Sequence, residues 1–195
     1  KELKDIFPSG IVHLGGDEAP TELWEKCPLC RKARTKAGMK DEQEQMRAFF
    51  AKTTALLAKN GQTPQFWYEG NAGIYHPGET VYAWRQDQAL QSIEKTKKAG
   101  LNLIMASNEY CYLDFPQIQG QRNWGWMKTT TLQKCYELDP AFGKPEKEAG
   151  HIRGVHAPVW AERLPDLDHL LYRAYPRACA IAEAGWSPMS VRSWE

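Results

Sequence analysis

Apolar side chains divide the chain into short continuous runs and longer segments with helical spacing. The short runs, which are typical of buried strands, lie at residues 10–14, 63–68, 80–84, 101–106 and 154–160. The segments with helical spacing lie at residues 41–60, 87–99, 131–136 and 166–184. Pro176 falls inside the last helical segment and should kink or divide it.

This alternation of strands and helices predicts an α/β fold with a mostly parallel sheet. Neither an internal repeat nor a linker interrupts the pattern, so one domain is expected over residues 1–195. Five strands are fewer than the eight of a closed TIM (β/α)8 barrel, which typically takes about 250 residues. The pattern therefore predicts a partial TIM barrel.

The charge and the lengths of the apolar runs exclude two classes of binding partner. The 195 residues include 25 Lys and Arg against 24 Asp and Glu, which gives a formal net charge of +1. Without a long basic run, the chain lacks the electrostatic footprint of a protein that binds nucleic acid or anionic membranes. No apolar stretch approaches the roughly 18 residues that a membrane-spanning helix needs. We expect a soluble globular domain whose partner is neither nucleic acid nor a membrane.

Cys27 and Cys30 form a C-x-x-C motif, which could bind zinc or take part in thiol chemistry. A structural zinc site needs a second pair of ligands at suitable spacing, and none is evident in the sequence. We expect two half-buried thiols near a helix start and no metal or cofactor. A metal or redox role for the motif is the alternative.

Polar and aromatic side chains collect where the predicted strands end, at the edge where parallel α/β sheets bind ligands. They are Asp17, Glu18, Glu69, Arg85, Asn108, Glu109 and Glu162, with Trp67, Trp84, Tyr112 and Trp160 beside them. Carboxylates accept hydrogen bonds from hydroxyl groups and flat rings stack on C–H faces, so the combination favours a carbohydrate ligand. In the alternative interpretation the acidic residues cap helices, with Asp17 before a helix at residues 21–26, and the tryptophans fill the core.

Asp17 and Glu18 are adjacent, and neighbouring side chains of a regular strand point to opposite faces. Both can reach one pocket only if the backbone turns, and Gly15 and Gly16 supply the freedom to do so. Burial and mutual repulsion could then keep one carboxyl protonated while the other stays ionised. Glycoside hydrolysis needs that division between proton donor and charged neighbour.

Six motifs in one order, across nearly the whole chain, resemble those of glycoside hydrolase family 20, the β-N-acetylhexosaminidases. They are HLGGDE at 13–18, FWYEG at 66–70, YAW at 82–84, YLD at 112–114, GVHAPVWAE at 154–162 and YPRACAIAEAGWS at 175–187. The resemblance implies a retaining hydrolase that removes terminal β-linked N-acetylglucosamine or N-acetylgalactosamine. In that family the acetamido group of the substrate is the nucleophile, outside the usual scheme of two carboxylates.

By the pattern of that family, three residues would act on the reacting atoms. Glu18 would be the general acid and then the general base. Asp17 would hold the acetamido N–H and stabilise the oxazolinium intermediate, and Tyr112 would donate its hydroxyl to the acetamido oxygen. Trp67, Trp84 and Trp160 would form the walls of the pocket. Asp114 and Glu162 would accept hydrogen bonds from the outer hydroxyl groups of the sugar. His13 is expected inside the sheet, where it would support the carboxylates through a hydrogen bond. Trp124 and Trp126 are expected to line an outer part of the pocket.

The catalytic domain of that family is a complete TIM barrel, and HLGGDE ends its fourth strand. The resemblance thus places this chain at strands 4 to 8, in the C-terminal part of a catalytic barrel. Absence of the first three strands would remove an arginine that binds ring hydroxyls and an Asp/His pair that supports the acid. We expect the chain to associate with itself or with a missing N-terminal half, or to aggregate. A catalytically silent fragment or a sugar-binding module is the alternative to an active hydrolase.

The segment CPLC at 27–30 resembles bacterial members of the family, and the resemblance favours an extracytoplasmic location, secreted or periplasmic. The motifs do not distinguish gluco from galacto substrates or identify the natural linkage.

Overall fold

A single parallel sheet organises the part of the chain that the structure describes. The computed structural model describes residues 2–121 and 125–195. Its strands are β1 (Ile11–His13), β2 (Thr63–Trp67), β3 (Thr80–Ala83), β4 (Asn102–Met105) and β5 (Ile152–Val155). They lie side by side in chain order, and each neighbouring pair is parallel. The predicted α/β fold with a parallel sheet is therefore confirmed.

The helices lie between the strands and after the last of them. They are α1 (Glu2–Ile6), α2 (Glu22–Lys26), α3 (Pro28–Lys36), α4 (Glu42–Lys59), α5 (Ala89–Lys98), α6 (Asn108–Cys111), α7 (Leu132–Tyr136), α8 (Glu146–Ala149), α9 (Leu167–Ala174) and α10 (Arg177–Trp186). Short 3-10 turns occupy Ala72–Ile74, Gln86–Gln88, Ala161–Arg163 and Met189–Val191. None of the described helices is long and apolar enough to cross a membrane.

Capping side chains and breakers set the ends of the predicted helices. The carboxylate of Asp41 accepts the backbone N–H of Glu44 at 2.8 Å at the start of α4, and Gly61 follows the end of that helix at a φ of +68°. Pro176 divides the predicted helix at 166–184 into α9 and α10, as expected. The segment predicted as a helix from residue 87 begins as a 3-10 turn and becomes α-helical at Ala89.

Two interpretations of local structure were wrong. Thr21, not Asp17, occupies the N-cap of α2, so Asp17 does not cap that helix. The strand predicted at 154–160 is β5 at Ile152–Val155, and its last ladder bond runs from the N–H of His156 to the carbonyl of Met105 at 2.9 Å. Pro158 has no N–H to continue a ladder. Its carbonyl instead accepts the N–H of Leu113 at 3.0 Å, so the chain leaves the sheet there.

The main core lies between the sheet and helices α4 and α5. Phe50 of α4 packs on Phe66 of β2 with ring centroids 4.6 Å apart, and Val81 and Leu103 of β3 and β4 are fully buried in the same cluster. Each such side chain contributes roughly 1.5–3 kcal/mol when fully buried. This packing fixes the ring of Phe50 close to the segment that follows β1.

The backbone turns sharply after β1, as the pair of adjacent carboxylates requires. Gly15 and Gly16 adopt φ values of +70° and +98°, a region that favours glycine. A Cβ atom on Gly16 would lie 2.6 Å from Cζ of Phe50. Both the backbone conformation and the close approach of a buried ring therefore require glycine at position 16.

We predict that Gly16→Ala lowers the free energy of unfolding by about 2–5 kcal/mol, because a left-handed backbone costs about 1–2 kcal/mol and overpacking about 1–3 kcal/mol. Gly38→Ala is the matched control, since Gly38 has a φ of +66° but no atom within 4 Å of the added Cβ. Gly38→Ala should lower the free energy of unfolding only by the about 1–2 kcal/mol of the left-handed backbone. Urea denaturation measures both variants, and equal losses would show that Phe50 moves aside without cost.

Candidate active site

A cavity of about 600 Å³ opens at the carboxyl ends of the strands, within the size range of small-molecule sites. Eight of the nine site residues predicted from the sequence line it: Asp17, Glu18, Trp67, Trp84, Tyr112, Asp114, Trp160 and Glu162. The other lining residues are Arg85, Asn108, Trp126 and Met127. The parallel sheet thus brings together side chains that are separated by as much as 145 positions in the sequence.

The two adjacent carboxylates lie on the open side of the cavity. Glu18 adopts a φ of +48°, and its side chain is 67% exposed. Asp17 is also exposed. The burial that the sequence suggested for this pair is therefore not found in the described chain. A positive φ at a residue other than glycine is uncommon, and here it turns Glu18 into the same cavity as Asp17.

The imidazole of His13 binds the backbone of the loop that carries Asp17 and Glu18, here called the carboxylate loop (residues 14–18). Its Nδ1 atom accepts the backbone N–H of Gly15 at 3.1 Å, and its ring lies edge-on to Trp67 and Tyr82 at 5.0 and 4.7 Å between centroids. No hydrogen bond joins His13 to Asp17 or Glu18 among the described residues, so the expected direct bond was wrong. Partial burial and then the neighbouring His156 lower the pKa of His13, against the pull of Asp17, which favours a neutral ring that can accept this bond.

Aromatic side chains form the walls of the cavity. Trp67 is buried, whereas Trp84 and Trp160 are half-buried. Trp84 lies nearly parallel to Tyr112 with 6.4 Å between centroids, and Tyr112 and Trp160 meet edge-on at 5.9 Å. Trp84 and Trp160 also pack against a small buried cluster that contains Tyr112, so packing and cavity lining are properties of the same rings. Trp126 lines the cavity while 61% exposed, and Trp124 lies outside the described residues.

Tyr112 and Asp114 follow α6 and are both buried at the cavity. Burial raises the pKa of the Tyr112 phenol, which is protonated at neutral pH even without this shift, and its hydroxyl can donate a hydrogen bond. Burial, with a smaller contribution from the charge of Glu162, raises the pKa of Asp114 to about 6. Its Oδ1 atom is buried and accepts no hydrogen bond from any described residue. Such an acceptor is costly unless water or a ligand supplies the donor.

Arg177, at the start of α10, holds the segment that carries these two residues. Its guanidinium is fully buried and donates from Nη2 to the carbonyl of Leu113 at 2.6 Å and from Nη1 to the carbonyl of Thr130 at 2.8 Å. Leu113 stands between Tyr112 and Asp114 in the chain. Burial lowers the pKa of Arg177 to about 10, which leaves the guanidinium charged at neutral pH. Sequence reasoning gave Arg177 no role, because an arginine inside a helical segment carries no signal of the carbonyls that it meets.

Glu69 and Arg85 also stand at strand ends, and the sequence interpretation left both without a role. Glu69 accepts the indole N–H of Trp84 at 2.6 Å and pairs with Arg85 at 3.4 Å. Asn108 was noted at the end of the next strand, whereas nothing in the pattern indicated Met127. The strand-end position was therefore a usable signal for three of these four residues.

Neither cysteine of the C-x-x-C motif lines this cavity. Cys27 occupies the N-cap of α3 and Cys30 the first turn, and both thiols are half-buried as expected. Within residues 2–121 and 125–195, no group of three or more His, Cys, Asp or Glu side chains is placed to hold a metal ion.

We predict that Asp114→Asn raises the free energy of unfolding at pH 8 by about 1–3 kcal/mol and leaves it unchanged at pH 3.5. A raised pKa means that ionisation opposes folding, and this cost is present above about pH 6 and disappears below the ordinary value of 3.8. Denaturant titrations at the two pH values measure the difference, with the exposed Asp168→Asn as control. A gain that does not depend on pH would contradict the assignment.

Comparison with known proteins places this chain in a family. A model of the glycosyl hydrolase family 20 catalytic domain matches residues 1–189. A β-hexosaminidase of Akkermansia muciniphila is 95% identical over 194 residues, covering 100% of this chain and 39% of that protein. A β-hexosaminidase of Porphyromonas gingivalis is 29% identical, over 99% of this chain and 25% of that protein. The chain spans about two fifths or less of these relatives.

Solved structures agree with the sequence matches. A crystal structure of a β-N-acetylhexosaminidase superposes with a TM-score of 0.96 at 95% identity, covering 99% of this chain and 41% of that one. An exo-β-N-acetylglucosaminidase from Vibrio harveyi, in complex with N-acetylglucosamine, superposes with a TM-score of 0.86 at 25% identity, over 99% of this chain and 30% of that one. The chain therefore belongs to glycosyl hydrolase family 20.

Proposed function

We propose that this chain carries the acid-bearing part of the active site of a retaining exo-β-N-acetylhexosaminidase. The substrate is a carbohydrate with a terminal β-linked N-acetylglucosamine or N-acetylgalactosamine, and its acetamido oxygen is the nucleophile. The observation that carries the proposal is the single cavity in which Asp17, Glu18 and Tyr112 meet three tryptophans. Family membership and the substrate class named for the relatives support it.

The proposed roles follow from what each side chain can donate or accept. Glu18, on the open side of the cavity, protonates the leaving oxygen and then removes a proton from the attacking water. Asp17 accepts the acetamido N–H and stabilises the positive charge of the oxazolinium intermediate. Tyr112 carries a phenol that is protonated at neutral pH, so it donates to the acetamido oxygen and orients the attack. Alignment of an internal nucleophile supplies a large effective concentration.

The walls and the buried carboxyl of the cavity account for binding. Trp67, Trp84 and Trp160 surround the acetamido methyl and the sugar face, where they exclude water. Asp114 and Glu162 accept hydrogen bonds from outer hydroxyl groups, and the orphaned Oδ1 of Asp114 gains the donor that it lacks in the free chain. Hydrogen bonds to charged groups contribute roughly 1.5–3 kcal/mol each.

The same proposal covers the architecture. We propose that β1 to β5 are strands 4 to 8 of a TIM barrel and that residues 1–195 are the C-terminal part of its catalytic domain. The superpositions cover 41% or less of the solved chains, which supports a partial barrel. Among the described strands β1 pairs only with β2, and Ile11 is 49% exposed. This edge is where the rest of the barrel, or a second copy of the chain, would pair.

We predict that Glu18→Gln lowers turnover of a nitrophenyl β-N-acetylglucosaminide by about 100- to 10,000-fold, the usual contribution of a general acid and base. The measurement uses protein that contains the complete catalytic domain, and release of nitrophenol is the readout. Glu22→Gln, at an exposed position on α2, is the control and should keep full activity.

Binding separates hydrolysis from the alternative of a silent sugar-binding module. The Gln variant should still bind N-acetylglucosamine in calorimetry, because Tyr112, Asp114 and the tryptophans are unchanged. Wild-type protein that binds the sugar but releases no nitrophenol would exclude the hydrolase.

A further inference from the structure

Arg85 is the cation among the described residues that line the cavity, and the proposed reaction gives it no role. It follows β3 and stands among the acidic lining residues Asp17, Glu18, Asp114 and Glu162. Its side chain is 35% exposed, so it is neither a core residue nor free on the surface.

Three contacts fix the guanidinium group. The Nη2 atom of Arg85 lies 3.4 Å from Oε2 of Glu69 and 3.9 Å from Oε1 of Glu18. Its Cζ atom lies 4.2 Å from the ring centroid of Trp84, where a planar guanidinium stacks on an indole. Glu69 also accepts the indole N–H of Trp84 at 2.6 Å, so one carboxylate holds both the ring and the cation.

This arrangement leaves donors of Arg85 available. Nη2 faces the two carboxylates, whereas Nε and Nη1 donate to no acceptor among the described residues. A guanidinium carries five N–H donors and no acceptor, so the atoms without a protein partner can only donate, to water or to a ligand oxygen. The group therefore presents fixed donors to the cavity beside Glu18.

We propose that Arg85 binds hydroxyl oxygens of the sugar that leaves, the unit attached to the terminal N-acetylhexosamine. This inference rests on the proposed function, in which Glu18 protonates the oxygen that joins the two units. Asp17, Tyr112 and Asp114 are assigned to the terminal unit, and Arg85 is the lining residue that pairs with Glu18. Atoms of the leaving unit therefore lie within reach of its donors.

The charges around Arg85 favour a neutral leaving sugar over an anionic one. Glu69 and Glu18 already offset the charge of the guanidinium, and Asp17, Asp114 and Glu162 add negative charge to the cavity. An anionic leaving group would be repelled by these carboxylates. Hydroxyl oxygens, in contrast, need only hydrogen-bond donors.

Two substrates that share the terminal unit test the proposal in protein containing the complete catalytic domain. They are a nitrophenyl β-N-acetylglucosaminide, whose leaving group has no sugar hydroxyls, and a β-linked disaccharide of N-acetylglucosamine. Arg85→Met should lower kcat/KM for the disaccharide about 10- to 100-fold more than for the nitrophenyl substrate, as expected for one lost charged hydrogen bond. Arg85→Lys, which keeps one donor group, should recover part of that difference. The exposed Arg31→Met is the control and should change neither value.

Equal losses on both substrates would overturn the proposal, because Arg85 would then make no contact that depends on the leaving sugar. Full activity of Arg85→Met on both substrates, with an unchanged ratio of their kcat/KM values, would overturn it as well. Failure of the proposed function has a different signature: folded wild-type protein turns over neither substrate. A larger loss on the disaccharide would also follow if Arg85 acted through Glu18, because a sugar leaving group needs protonation more than nitrophenolate does. Calorimetry with a sulfur-linked disaccharide and with free N-acetylglucosamine separates the two cases, since binding involves no proton transfer. Arg85→Met should weaken binding of the disaccharide alone, and equal weakening of both ligands would refute the role.

Discussion

The parallel ladder is the constraint on which the candidate site depends. Because all four strand pairings run in one direction, the segments after β1, β2, β3, β4 and β5 emerge at the same edge of the sheet. The last residue of β2, Trp67, and residues from the segments after the other four strands line one cavity. A side chain needs only to follow its strand closely to reach the others, and Glu69 and Arg85 each follow theirs by two positions. The ladder and the core therefore bring the lining residues together without relying on contacts among those residues.

Contacts behind the lining residues then fix their orientation. Phe50 packs against Gly16 so closely that the carboxylate loop has no room for a side chain at this position. Arg177 binds the carbonyl between Tyr112 and Asp114, and Glu69 holds Trp84 by its indole N–H. These three contacts come from α4, α10 and the end of β2. The lining residues are thus supported from separate elements, as a site that positions a ligand requires.

Sequence patterns predicted the elements and most of the lining residues, and failed where tertiary contacts decide. The helical spacing and capping residue of α4 are local, so its bounds were predicted within one residue. The apolar run at 154–160 is typical of a strand, but Pro158 cannot continue a ladder and its carbonyl bonds to the loop before it. His13 was expected to hold the carboxylates and instead accepts the N–H of Gly15, a choice that the sequence does not encode locally.

Burial acts on Tyr112 and Asp114 in the same direction but with opposite consequences. It raises the pKa of both groups because it disfavours their charged forms. For the phenol, which is protonated at neutral pH without burial, this extends the hydrogen-bond donor to higher pH. For the carboxyl it means that Asp114 is mostly protonated below about pH 6, whereas an ordinary aspartate stays charged down to about pH 4. The burial that holds Tyr112 in place therefore also raises the lowest pH at which Asp114 can serve as a charged acceptor for a sugar hydroxyl.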